Sequence, residues 1–155
     1  TSGALMQIAA RMLKPDLDLG GEPGVAITAA GRLWGFVGLL RAFAPLVQAG
    51  RPPFSADELA GADLSEADLA AGRKQDAAKA ALSGLLTEAR DAAGMLTRTR
   101  SALPADVFPA LGYVSLARGY LKSAQGLEDP YREQIERAPF GQNARLTWAS
   151  LTGRV

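Results

Sequence analysis

Residues 35–51 read GFVGLLRAFAPLVQAGR, and the assignment of this stretch decides the fold. It sits in the middle of the longest apolar run of the chain and carries two arginines and no acid. Over residues 25–47 the pattern predicts a helix of about 35 Å, at ~1.5 Å per residue. That length is enough to cross a bilayer. Arg32 and Arg41 argue against a crossing: nine positions apart, they lie about 180° around the helix, so one face cannot hide both, and each costs roughly 2.5–3.5 kcal/mol near mid-bilayer. Gly31, Gly35 and Gly38 share a face on which small side chains let a second helix approach closely. The stretch therefore reads as the central helix of an α domain, with Pro45 as a kink or stop near its end.

Working outward, Leu5, Ile8, Ala9 and Met12 recur at helical spacing and predict an amphipathic helix over 2–14, stopped by Pro15. The loop KPDLDLGGEPG follows it. Asp16, Asp18 and Gly20 hint at a calcium loop, but the twelfth position from Asp16 is Ile27, where a bidentate Glu belongs, so the reading is an ordinary turn. After the central helix, Pro52 and Pro53 forbid regular helix. SADE at 55–58 is a capping box and SEAD at 65–68 a weaker one, and together they predict two short helices. A second long helix is expected over 75–99, with Leu82, Leu85, Leu86, Ala89, Ala93 and Leu96 on one face and Arg98 and Arg100 at its dipole-favoured C-terminus. A third is expected over about 106–125, with Pro109 in its first turn and Tyr113, Leu116, Ala117, Tyr120 and Ala124 as a core stripe. DPYREQIER predicts a short polar helix whose Glu133 and Glu136 face water. FGQNARLTWASLTGR predicts a last amphipathic helix carrying Leu146, Trp148 and Leu151. No repeat, no low-complexity tract and no strand pattern is legible.

Composition removes several function classes. The chain has 155 residues, enough for one domain with a real core. With 17 basic against 16 acidic residues, overall charge gives no reason to expect a nucleic-acid partner. Cysteine and histidine are both absent, which rules out disulfides, Ser-His-Asp and Cys-His catalysis and His-ligated zinc. No GxxxxGK[ST] or GxGxxG phosphate loop is present. TSGALMQIAARML opens straight into a helical pattern, without an initiator Met or the basic segment of a signal peptide, and reads as the start of a piece of a longer protein.

The placement of carboxylates is more telling than their number. From Pro23 to Ala56 there is neither Asp nor Glu, and the same window carries Arg32, Arg41 and Arg51. The apolar centre thus offers cations and no metal ligands. Arginine forks there can hold an anion. The plainer reading is that Arg41 and Arg51 cap helix ends and reach solvent.

The order of the pieces resembles a known family. GLLRAFAPLVQAGR, then SADEL, a long Ala/Leu helix, LPADVFPALGYVSLARGYLKSA and LTWASLTGR is similar to the C-terminal half of the squalene/phytoene synthase family, the head-to-head prenyl transferases. TSGALMQIAARML resembles the helix just ahead of that centre. The best landmarks are Leu40-Arg41 and Gly50-Arg51. The resemblance implies an all-α, terpenoid-synthase-like helical bundle, a single domain over 1–155 that forms only the C-terminal part of the full one. In active members two aspartate-rich motifs face each other and hold magnesium ions that bind and ionise a prenyl diphosphate. The second motif's pair, at i and i+4, directly follows the arginine that Arg41 resembles, and here those positions are Ala42 and Leu46. The face reads Gly35, Leu39, Ala42, Leu46, on which no side chain can ligate magnesium. The first motif would lie upstream of Thr1.

In lacking the motif the chain is similar to the mitochondrial complex I assembly factor branch. The function expected is a non-catalytic, isoprenoid-binding or assembly protein, with Arg41 and Arg51 as the residues for a diphosphate or other anion and with neither metal site nor cofactor. The alternative is a prenyl transferase completed by an N-terminal half, with magnesium as cofactor. A third reading is a helical domain whose similarity is architectural alone, with Trp34, Leu39 and Leu46 filling the pocket. Expected partners are a prenyl-like lipid or prenyl diphosphate and either a protein partner or a second copy, since half a bundle leaves apolar faces uncovered. The expected location is cytoplasmic, with membrane contact peripheral to the inner membrane at most.

Overall fold

The computed structural model describes residues 2–133, 135 and 139–152, and among these the regular elements are helices only. The order is α1 (Ser2–Leu13), α2 (Glu22–Gln48), α3 (Ala56–Gly61), α4 (Glu66–Ala70), α5 (Gln75–Thr99), α6 (Phe108–Leu111), α7 (Ala117–Ala124) and α8 (Pro139–Thr152). This is the all-α, terpenoid-synthase-like architecture that the family resemblance implies.

The long central helix is α2. One of its faces, Ala26, Ala30, Leu33, Val37, Leu40 and Ala44, is buried throughout, and the helix packs most extensively against α5 and then α1. It is also long and apolar enough to cross a membrane by length and composition, but half of its most apolar window is buried within the domain. Arg32 and Arg41 are both exposed, as their half-turn separation requires. Pro45 neither stops nor ends the helix, which runs one turn further to Gln48. A proline that late removes only its own N–H, so Arg41 O loses its helical donor while the rest of the ladder stands.

Three helices in succession end in the same way. After α2, Gly50 takes φ +66° and donates its N–H to Val47 O, while Arg51 N–H reaches Leu46 O at 2.9 Å. Asp63 and Leu64 do the same after α3, and Gly72 and Arg73 after α4, with Asp63 and Gly72 also at positive φ. This is the Schellman cap, which satisfies the last carbonyls and turns the chain sharply. Both predicted capping boxes form: Ser55 with Glu58 and Ser65 with Asp68 exchange side-chain and backbone bonds. Sharp stops and firm starts compress residues 50–74 into a corner. Phe54 and, from further along the chain, Tyr131 close it over Phe43, with ring centroids 6.1 and 5.9 Å away.

Four sequence expectations need correction. On α1 the buried residues are Met6 and Ala10, whereas Leu5, Ile8 and Met12 are 69%, 59% and 79% exposed. The rotation follows from the crossing point: Gly3 lies so close to Gly31 that a Cβ on Gly31 would strike its backbone, and this turns the Met6 and Ala10 side inward. The third long helix is broken into 3-10 turns at Ala105–Val107 and Gly112–Leu116 around α6 and α7. Pro104 and Pro109 withhold N–H groups, and Gly112 lets the Phe108 ring press on the backbone, 2.7 Å from where a Cβ would stand. The expected stripe still packs inward, with Leu116, Ala117, Tyr120 and Ala124 buried.

DPYREQIER forms no helix over its described residues. Glu133 instead accepts from the N–H groups of Glu128 and Asp129, and Asp129 accepts from Tyr131 N. These bonds cap the opening N–H groups of one turn, which Glu133 N–H closes on Asp129 O at 2.9 Å. Glu133 is therefore a structural acceptor as well as a surface residue, and Glu136 lies outside the described residues. Finally, α8 forms, but Trp148 and Leu151 are 68% and 78% exposed and Leu146 alone of the three packs on the core.

Candidate functional site

A groove of about 600 Å³ runs between α1 and α2. Ser2, Gly3, Ala4 and Gln7 form its α1 wall, and Thr28, Gly31, Arg32, Gly35, Phe36 and Leu39 its α2 wall. The groove exists because the two helices touch at a glycine crossing. Gly31 meets Gly3, and a Cβ on Gly35 would stand 3.2 Å from Ser2 Oγ, but a Cβ on Gly38 would meet nothing within 4 Å. Gln7 Nε2 donates to Thr28 Oγ1 at 3.0 Å and ties the helices on the other side of the crossing.

The α2 wall continues past the groove. Gly35, Leu39, Ala42 and Leu46 follow each other at spacings of four, three and four, so they share one face. All four are half-buried. This is the stripe on which the resemblance places paired carboxylates. Trp34 is not part of it: its ring packs edge-on against Tyr113 with centroids 4.7 Å apart. Leu39 lines the groove rather than plugging it. The filled pocket of the purely architectural reading, which needs Trp34, is therefore not what these residues form.

Magnesium, which the resemblance implies, does not fit this wall. Ala42 and Leu46 carry no donor atom, and among the described residues no three acidic side chains converge on a point that could hold a metal ion. The carboxylates that the fold holds firmly lie elsewhere. Glu58 is held below its usual range by the Ser55 backbone and side-chain bonds, and Asp68 by its bonds to Ser65 and Arg73. Lys74 is raised by its bond to Asp63. All three groups serve helix ends.

The arginines occupy three different settings. Arg32 stands at the groove with a 2.6 Å ion pair to Glu88 on α5 and its guanidinium 5.9 Å from the Phe36 ring centre. Arg41 projects away from the stripe and lies over the Tyr120 ring at 4.1 Å. Stacking of this kind orients the guanidinium and leaves its N–H edge free to donate. Arg51 is exposed, just beyond Leu46, its backbone fixed by the Schellman cap. The fold thus does not bring Arg41 and Arg51 into the groove wall. Arg32 as a groove residue does not follow from the sequence pattern, although it stands one position after Gly31, and its pairing with Glu88 across two helices leaves no local signal. The loop at Asp16–Gly20 is an ordinary turn, closed by Asp18 Oδ1 accepting from Gly20 N at 2.9 Å.

Compared with known proteins, the chain matches the family model for squalene/phytoene synthase over residues 1–148. No curated protein and no solved structure was found to match it.

Proposed function

The chain belongs to the squalene/phytoene synthase family, and on that basis we propose that it is a non-catalytic isoprenoid-binding domain whose α1/α2 groove takes a prenyl-like chain. One observation carries the reading: the α2 stripe that begins in the groove continues as hydrocarbon through Ala42 and Leu46. Binding along it is driven by apolar burial, at roughly 25 cal/mol per Å² removed from water. A single C5 prenyl unit already contributes measurably on that scale. For an anionic head group we assign Arg51, just beyond Leu46 and held by its cap, together with Arg41, which Tyr120 orients on a different face of α2 and which a head group reaches only by bending round the helix from the stripe.

Such a domain acts by holding and presenting a lipid. A protein partner or second copy is proposed for the exposed Leu5, Ile8 and Met12 face of α1, and membrane contact is peripheral. The test is calorimetric titration of the protein with farnesol and with farnesyl diphosphate. Both should bind. Leu39→Asp should abolish the affinity for each, whereas Arg41→Ala and Arg51→Ala should weaken the diphosphate alone. Magnesium-dependent turnover of the diphosphate, or farnesol binding indifferent to Leu39→Asp, would overturn the proposal in favour of the transferase or the architectural reading.

A further inference from the structure

A second cavity, of about 220 Å³, lies on another side of the domain, where the end of α5, the 3-10 turn Gly112–Leu116, α7 and α8 meet. Leu33, Leu96 and Val114 line its apolar part, and Arg100, Arg118 and Arg145 line it from three separate elements. No acid lines it. Among the described residues none of the three arginines has an ion-pair partner, and Arg118 alone has a hydrogen bond, from Nη2 to Thr97 Oγ1 at 2.7 Å. Ser115 also lines the cavity. It is 9% exposed, and its Oγ is the one buried side-chain polar atom without a hydrogen-bond partner among the described residues. A buried hydroxyl without a partner is costly and rare in folded proteins. Trp148, 68% exposed, stands on the rim.

Each feature alone has an ordinary explanation. Arg100 closes α5, where the helix dipole favours a cation. Arg118 and Arg145 are exposed, and exposed arginines need no partner. Their convergence on one cavity is different. Three exposed arginines border one small space with no acid among the described residues lining it; water screens their repulsion, and what favours an anion there is the set of donors on three sides. Guanidinium forks match the oxygens of a phosphoryl group, and a hydroxyl beside them completes a donor set. The size agrees: pockets for drug-sized ligands begin at about 300 Å³. This cavity is smaller and suits a phosphate or diphosphate group, with any organic remainder lying outward over Trp148.

We infer that Arg100, Arg118, Arg145 and Ser115 form a phosphoryl-binding site separate from the groove and from Arg41 and Arg51. The phosphoryl group comes either from a small soluble molecule or from an anionic lipid head group, and the same donors serve both.

The test uses the whole chain in an Arg41→Ala, Arg51→Ala background, so that failure of the proposed head-group residues leaves it untouched. Inorganic diphosphate is titrated by calorimetry, with circular dichroism on every variant. Saturable binding is expected, weakened about tenfold by Arg145→Gln, abolished by Arg118→Gln with Arg145→Gln, and partly retained in Arg118→Lys, which keeps the charge and loses the fork. Ser115→Ala should weaken it less than either arginine change. In a second arm, vesicles of phosphatidic acid in phosphatidylcholine are sedimented with the protein. Retention that diphosphate competes away and the double glutamine variant loses assigns the lipid source, and binding of diphosphate without retention assigns the soluble one. Binding of neither probe, or binding that survives the double variant in a folded protein, overturns the site.

Discussion

The two sides of α2 are built from similar residues and do opposite things. On one side Ala26, Ala30, Leu33, Val37, Leu40 and Ala44 are sealed into the core. On the other, Gly35, Leu39, Ala42 and Leu46 are equally apolar and only half covered. The difference lies in what meets them. The sealed side is packed by large and small side chains that interdigitate along the helix, whereas the open side meets α1 backbone to backbone at Gly3 and Gly31, and beyond that point the helices part. A helix pair that touches at one glycine crossing leaves a groove, and the hydrocarbon along it is free to hold something else. Hydrophobicity by itself therefore does not say core; the height of the contacting partner does.

The largest effect that sharpens this contrast is on stability. Leu33→Ala removes a fully buried side chain and should cost about 2–5 kcal/mol in chemical denaturation, while Leu39→Ala on the groove side should cost well under half of that. Equal losses would mean the groove wall is core after all. Next comes the crossing itself. Gly31→Ala drives a Cβ into the Gly3 backbone and should cost ~1–3 kcal/mol, whereas Gly38→Ala, with open space around it, should gain up to about 1 kcal/mol from helix propensity. If Gly38→Ala proves as harmful as Gly31→Ala, the open side is not open.

The smallest effect concerns the corner after α2. Glu58 and Asp68 have pKa values lowered by their capping bonds, so their contribution is fully present above the unfolded-state carboxyl range and is lost as pH falls through the lower folded values. The melting temperature should therefore decline on the acid side, and Ser55→Ala and Ser65→Ala should each lower it at neutral pH and flatten that decline. An unchanged acid limb in the variants would show that the caps do not set it.

The parts of this fold that sequence reading recovers are those in which local chemistry and tertiary packing agree. The helices 75–99 and 2–14 and the two capping boxes all follow from residues within a few positions of each other. Failures occur where a distant partner decides. The rotation of α1 is set by backbone contact at Gly31, not by its own Leu5, Ile8 and Met12 stripe. The segment 105–124 has good helical periodicity, but Pro109 and the Phe108 ring on Gly112 divide it, and burial of Leu111, Val114 and Tyr120 holds the resulting bends. At Asp129–Glu133 the side-chain bonds cap the opening N–H groups of a single turn, closed by Glu133 N–H on Asp129 O, and periodicity does not show that a turn forms there instead of a helix. For the candidate site, the hydrocarbon at Ala42 and Leu46 is legible only through the family resemblance, which marks those two positions as the place of a carboxylate pair. The groove is not, because its other wall comes from the chain's first turns. The convergence of Arg100, Arg118 and Arg145 was equally hidden, since they lie on three elements with no common period.

The central claim is that this wall of the domain holds a prenyl chain without a metal. The most direct measurement is farnesyl diphosphate affinity by calorimetry in magnesium and again in EDTA, for the natural chain and for Ala42→Asp, Leu46→Asp. The account predicts the same affinity in both buffers for the natural chain, and a magnesium-dependent difference only when the two carboxylates are introduced. Binding by the natural chain that disappears in EDTA and returns with magnesium would contradict it.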